Sequence, residues 1–125
     1  MPKNVQFGPS GAVYGDDFTL APAGTVKTTA GSTAGRSVGY IHTLRLALNV
    51  TAFTGTSVTF TIEHSPDGST WTAHPQGGFT ATTATGSQRK IISGLDRYVR
   101  ASWAGTFTTV TFGLTGESVG GENTD

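Results

Sequence analysis

The stretch LRLALNVTAFTGTSVTFTIEHSPDGSTWTAH, Leu44 to His74, decides the fold. Its first part alternates, with Leu44, Leu46, Leu48 and Val50 on one side of an extended chain and Arg45, Ala47, Asn49 and Thr51 on the other. Successive side chains of a strand point to opposite faces, so a period of two with one apolar side marks a half-buried strand. TGTS, residues 54–57, reads as a turn, after which Val58, Phe60 and Ile62 resume the inward set and Thr59, Thr61 and Glu63 the outward one. SPDGST follows: Pro66 presets the backbone angle of a turn, Asp67 can bond its own backbone, and Gly68 accepts positive φ. A strand resuming at TWTAH completes a hairpin, with Trp71 expected as an inward core ring. The two histidines and two acids crowded around this turn are therefore read as hairpin and solvent-face residues rather than as an active site.

The same pattern extends downstream. SQRKIIS, residues 87–93, and RYVRASWAG, residues 97–105, are separated by the turn-like GLD, with Val99, Ala101 and Trp103 on one face and Tyr98, Arg100 and Ser102 on the other. FTTVTFGLTGESV closes the domain with Val110, Phe112 and Leu114 inward. The predicted core is Leu46, Leu48, Phe60, Ile62, Val99, Ala101, Phe112 and Leu114. Leu95 stands three residues before Tyr98 at a strand start, the spacing of a tyrosine corner. Six or seven short strands with no helix between them predict an all-β antiparallel β-sandwich, immunoglobulin-like or jelly-roll, over residues 37–119.

Upstream, residues 1–36 are rich in Gly, Pro, Ser and Thr, with one or two short strands expected at DFTLA and GTVKTTA. Two arrangements stay open for this segment: an extended N-terminal arm lying on another surface, or a segment folded back on its own domain. On the first, Val5, Phe7, Val13, Tyr14 and Phe18 are the partner-binding residues, because they are too sparse to form a core of their own. Residues 120–125 are expected as a disordered tail.

Composition bounds the function classes. The 125 residues suit one domain, and 18 glycines with only 13% charged residues suit short strands and many turns. Eight basic and eight acidic residues with no run of one sign leave no clustered basic face, so no nucleic-acid partner is expected. The absence of cysteine excludes disulfides and thiolate metal sites. The N-terminal MPKNVQFGPSG lacks the apolar core of a secretory signal, and no apolar run approaches the ~20 residues of a membrane span, so a soluble product with no membrane partner is expected.

Candidate chemistry is sparse. His42, His64 and His74 fall on different expected strands without the spacing that sets two imidazoles on one metal, so no metal or cofactor is expected. GDD at Gly15–Asp17 resembles a polymerase carboxylate pair, but so short a chain cannot carry that machinery. No GxSxG elbow occurs, and NVT at Asn49 is a formal glycosylation sequon on an outward strand position. No catalytic residue is assigned, and the chain is not expected to be an enzyme.

The runs GTVKTTAGSTAGRSVGYIHTLRLALNVTAFTGTSVTFTIEHSPDGSTWTAH and GSQRKIISGLDRYVRASWAGTFTTVTFGLTGESV resemble small β-sandwich virion proteins of tailed bacteriophages, most of all head decoration (cement) proteins. The carriers, LRLALNVTAFTGTSVTFTIEHSPDGSTWT and GLDRYVRASW, are architectural rather than catalytic. The resemblance implies a structural protein on the outer surface of the virion capsid, made in the host cytoplasm. It would bridge subunits of the major capsid protein and stabilise the mature shell as a homo-oligomer, a trimer being favoured. A tail-tube or fibre domain would share such a sandwich. The other reading is a carbohydrate- or host-surface-binding module: Trp71, Trp103, Tyr40 and Tyr98 could stack on sugar rings if they faced outward, but alternation sets both tryptophans inward.

Overall fold

The computed structural model describes residues 17–38 and 43–118. Among these there is no helix, and seven strands form one antiparallel sheet: β1 (Asp17–Lys27), β2 (Gly31–Ser32), β3 (Arg36–Ser37), β4 (Thr43–Ser65), β5 (Thr72–Gly78), β6 (Gly86–Ser93) and β7 (Tyr98–Ser118). The frame is the β4–β7 pair, which stays in antiparallel register from Leu44↔Ser118 to Ser65↔Tyr98. β4 has 23 residues and β7 has 21, against the five or six usual for a strand.

This one sheet makes both layers of a sandwich by folding over. Trp103 and Phe112 are nine residues apart along β7, about 30 Å in a straight strand, yet their rings are 5.4 Å apart. Phe60, the ladder partner of Trp103, meets Phe112 edge-on at 4.7 Å. The strands must therefore double back between these residues. The fold line lies where the β4–β7 register shifts, between Val50 and Ser57. Gly55 (φ 146°) lies within it and Gly105 (φ 154°), opposite Val58, at its edge, where a Cβ would overlap the Ser57 carbonyl oxygen.

The first layer is β1–β7–β4–β6, using the C-terminal half of β7 and the N-terminal half of β4. The second uses the other halves, with β5 beside β4 and β2 and β3 beside β7. All eight predicted core residues are fully buried, joined by Leu44, Val50, Val58, Ile92, Trp103 and Val110.

Three expectations are corrected. TGTS is the fold line inside a single β4 rather than a turn between two strands. RYVRASWAG and FTTVTFGLTGESV are likewise one continuous strand. Both follow from the ladder continuing across the line with bulges, which bend a strand without ending it. The third correction concerns Trp71, which precedes β5 and is half-buried outside the core. DFTLA and GTVKTTA fall mainly in β1, which pairs with β7 and contributes Leu20 and Ala21 to the core.

Candidate functional site

Val5, Phe7, Val13 and Tyr14 lie outside the described residues, as do His42 and Tyr40. Phe18 stands in β1 opposite Gly116. The remaining chemistry falls into three groups set by the two layers.

The first is the hairpin itself. The Asp67 carboxylate accepts the backbone N–H groups of Ser69 (2.8 Å) and Thr70 (2.9 Å) and the Ser65 hydroxyl (2.9 Å). These bonds, that from Thr70 foremost, hold its pKa below the usual 3.8. This is turn chemistry, as its sequence implied. What the sequence reading missed is that the sheet brings His64 and His74 together, their rings edge-to-face at 4.8 Å. His74, expected at the turn or on the solvent face, is instead buried, and its Nδ1 accepts the Gln76 N–H (3.0 Å), so Nε2 carries the proton and donates to the Ser93 carbonyl (2.7 Å). Ser93 N–H in turn donates to Gln76 Oε1 (3.1 Å). His74 and Gln76 on β5 thus clasp β6 of the opposite layer and close that side of the sandwich. Both nitrogens of His74 are spent on the clasp, and His64 Nδ1 accepts the Asp96 N–H (3.2 Å). Among the described residues no group of three or more His, Cys, Asp or Glu could hold a metal ion.

The second group is the outer surface of the second layer. Glu63 and Arg100 face each other across the β4–β7 ladder and pair at 2.6 Å. The Trp71 indole lies on the Arg100 guanidinium, 4.6 Å from ring centroid to Cζ. Its far edge reaches Gly35, where a Cβ would come within 2.8 Å of the ring. Trp71 is a strap from the hairpin across this surface, and Gly35 is where it lands.

The third group is the outer surface of the first layer. Ladder-opposite residues share a face, so Thr19, Thr115, Ala47 and Arg89 form one outward row and Glu117, Arg45 and Ile91 form the next. The small Ala47 between longer neighbours leaves a trough of about 380 Å³. Arg45 pairs with Glu117 at 3.1 Å on its rim.

No protein-family model and no curated protein matches the chain. Among solved structures, it is similar to the SPBc2 prophage-derived protein YomS, with a TM-score of 0.54 at 16% identity over 82% of this chain and 91% of that one. It is also similar to the PBSX exported protein XepA, with a TM-score of 0.62 at 19% identity over 95% of this chain; the match spans 42% of XepA. At such identities the likeness is one of fold, and the fold is an all-β antiparallel sandwich.

Proposed function

We propose that the chain is a non-enzymatic structural protein of a tailed-phage particle, bound to the outside of the mature capsid and stabilising it by bridging capsid subunits. The observation that supports this is the sandwich shared with prophage-derived YomS over 91% of that chain. The internal chemistry agrees with it. His74, Glu63, Arg100 and Asp67 are each committed to bonds that hold strands or the turn. Stabilisation by a bound protein needs no turnover: selective binding to the expanded shell lowers its free energy by mass action.

The experiment compares particles from a strain carrying the gene with particles from a deletion strain, then adds purified protein back. The chain should appear in purified particles at stoichiometric amounts, and the deletion particles should lose genome at a lower temperature until protein is restored. Its absence from purified particles would sink the reading.

One observation favours the carbohydrate reading more than the sequence did: Trp71 is outside the core. Arg100 packs on the ring and Gly35 beside it, so a sugar would have to stack on what they leave exposed. Tryptophan fluorescence titrated with host-envelope oligosaccharides tests it, and a saturable shift abolished in Trp71→Ala would support it.

A further inference from the structure

We infer that the outer surface of the β1–β7–β4–β6 layer is the particle-contacting face, and that its partner presents a carboxylate to Arg89 with an apolar side chain against Ile91 and Ala47. The inference rests on the function proposed above and names the surface that would carry it.

Four sides of the sandwich can be compared. The β5–β6 side is closed by the His74 and Gln76 clasp on Ser93. On the β1–β3 side, the Arg36 guanidinium donates to the Thr19 carbonyl (3.0 Å) across the layers. Strand addition at either side would have to displace these bonds. At the Glu63–Arg100 pair the outer surface of the second layer is covered by its own Trp71 strap. The first layer's outer surface has no such cover among the described residues.

That surface also carries the apolar exposure. The exposed large hydrophobic residues of the described chain are Val26 (56%) and Ile91 (59%). Val26 stands opposite Thr111 and Ile91 opposite Arg45, which places both on this face. The rows between them carry Thr, Ala and Asn side chains, with Arg89 and the Arg45–Glu117 pair rising beside Ala47.

The charge pattern selects the partner's chemistry. Arg45 is neutralised by Glu117, whereas Arg89, exposed on the trough, has no ion-pair or hydrogen-bond partner among the described residues. A guanidinium offers a planar fork of donors that a carboxylate fills in two bonds, so an acidic side chain is the complementary group. Four strands span about 14 Å, and the rows from Val26 to Ile91 about 20 Å, roughly 300 Å² of face. That is well below the ~800 Å² per partner of a stable pairwise interface, so the surface fits a repeated lattice engaged by several copies better than a single soluble partner.

The test measures occupancy on particles from the deletion strain. Arg89→Glu, Ile91→Ser and Ala47→Lys change this face at exposed or half-exposed positions, and Thr59→Glu changes the outer surface of the other layer as a control. Melting temperatures of all four should match the unsubstituted chain. Arg89→Glu should weaken binding at least tenfold, Ala47→Lys and Ile91→Ser severalfold, and Thr59→Glu less than twofold. Arg89→Gln should flatten the fall of occupancy with salt. Full occupancy of the Arg89→Glu/Ile91→Ser double variant would overturn the inference while leaving the proposed function standing. So would a free protein that Arg89→Glu converts from oligomer to monomer with particle binding intact, because the face would then join copies of this chain. Failure of the unsubstituted chain to bind particles would overturn both.

Discussion

Phe60→Ala is the sharpest probe of the folded-over sheet. Phe60 is fully buried and is the ring through which the layers meet: it lies 4.7 Å from Phe112 in one layer and 6.4 Å from its own ladder partner Trp103 in the other. Losing its transfer free energy costs about 2–3 kcal/mol. The vacated space, roughly 100 Å³, adds about 2 kcal/mol at ~24 cal/mol per Å³ if the walls do not close. Partial collapse brings the expected loss to about 4 kcal/mol. With unfolding entropy near 2.1 cal/mol/K per residue over about 100 ordered residues, this lowers the melting temperature by roughly 15–20 °C.

The comparison is Phe107→Ala, since Phe107 is only partly buried against the same core. It should cost about half as much or less, its ring being able to keep some contact with water in either state. Urea unfolding followed by far-UV dichroism measures both, and near-UV dichroism reports whether Trp103 and Phe112 remain fixed. A Phe60→Ala loss under about 1 kcal/mol, or one no larger than that of Phe107→Ala, would refute the convergence of the two layers on this ring.

Other outcomes follow from the polar groups. Gly35→Val should displace the Trp71 indole and red-shift its fluorescence, costing about 1–2 kcal/mol, and in a Trp71→Ala background the same substitution should cost little, which a double-mutant cycle measures. His74→Ala leaves the Ser93 carbonyl and the Gln76 N–H without their clasp partner, so a loss of about 1–3 kcal/mol is expected, with faster amide exchange at Gln76 and unchanged particle occupancy. Asp67 has its pKa depressed in the fold, so its contribution is present above the usual carboxylate value and is lost as pH falls through the lower folded value. An NMR titration should therefore show the Ser69 and Thr70 amides moving together below pH 3.8, and Asp67→Asn should abolish that step.

The core was legible because its signal is local. Alternation in LRLALNV, VTFTI and VTFGL states which side chains share a face, and burial follows wherever one face is covered. What the sequence left unreadable depends on how that sheet closes. TGTS and the glycine at 105 carry the same residues whether a strand ends or merely bends, and only the partner strand decides between them. Trp71 has a hydrophobic ring just outside a strand, where parity no longer fixes a direction, and the Arg100 guanidinium across β4 and β7 sets its position. The meeting of His64 and His74 had one available signal, the hairpin centred on SPDGST. The β4–β5 ladder sets His64 opposite Thr72, which leaves His74 two residues farther along the partner strand.

The inequality of the two outer surfaces bears on how a chain of this size could hold a shell together. Docking the roughly 300 Å² face would remove about 600 Å² from water counting both partners, of which somewhat over half would be apolar. At about 25 cal/mol per Å² that gives near 9 kcal/mol before costs, and association alone costs on the order of 4–15 kcal/mol. A single sandwich would then sit near the limit of binding at all. Joining copies changes the balance, because each added copy engages at the high effective concentration set by its neighbours without again losing its translational freedom. On the proposed function, oligomerisation would offset the smallness of the face, with the contact between copies made on surface other than the trough around Ala47.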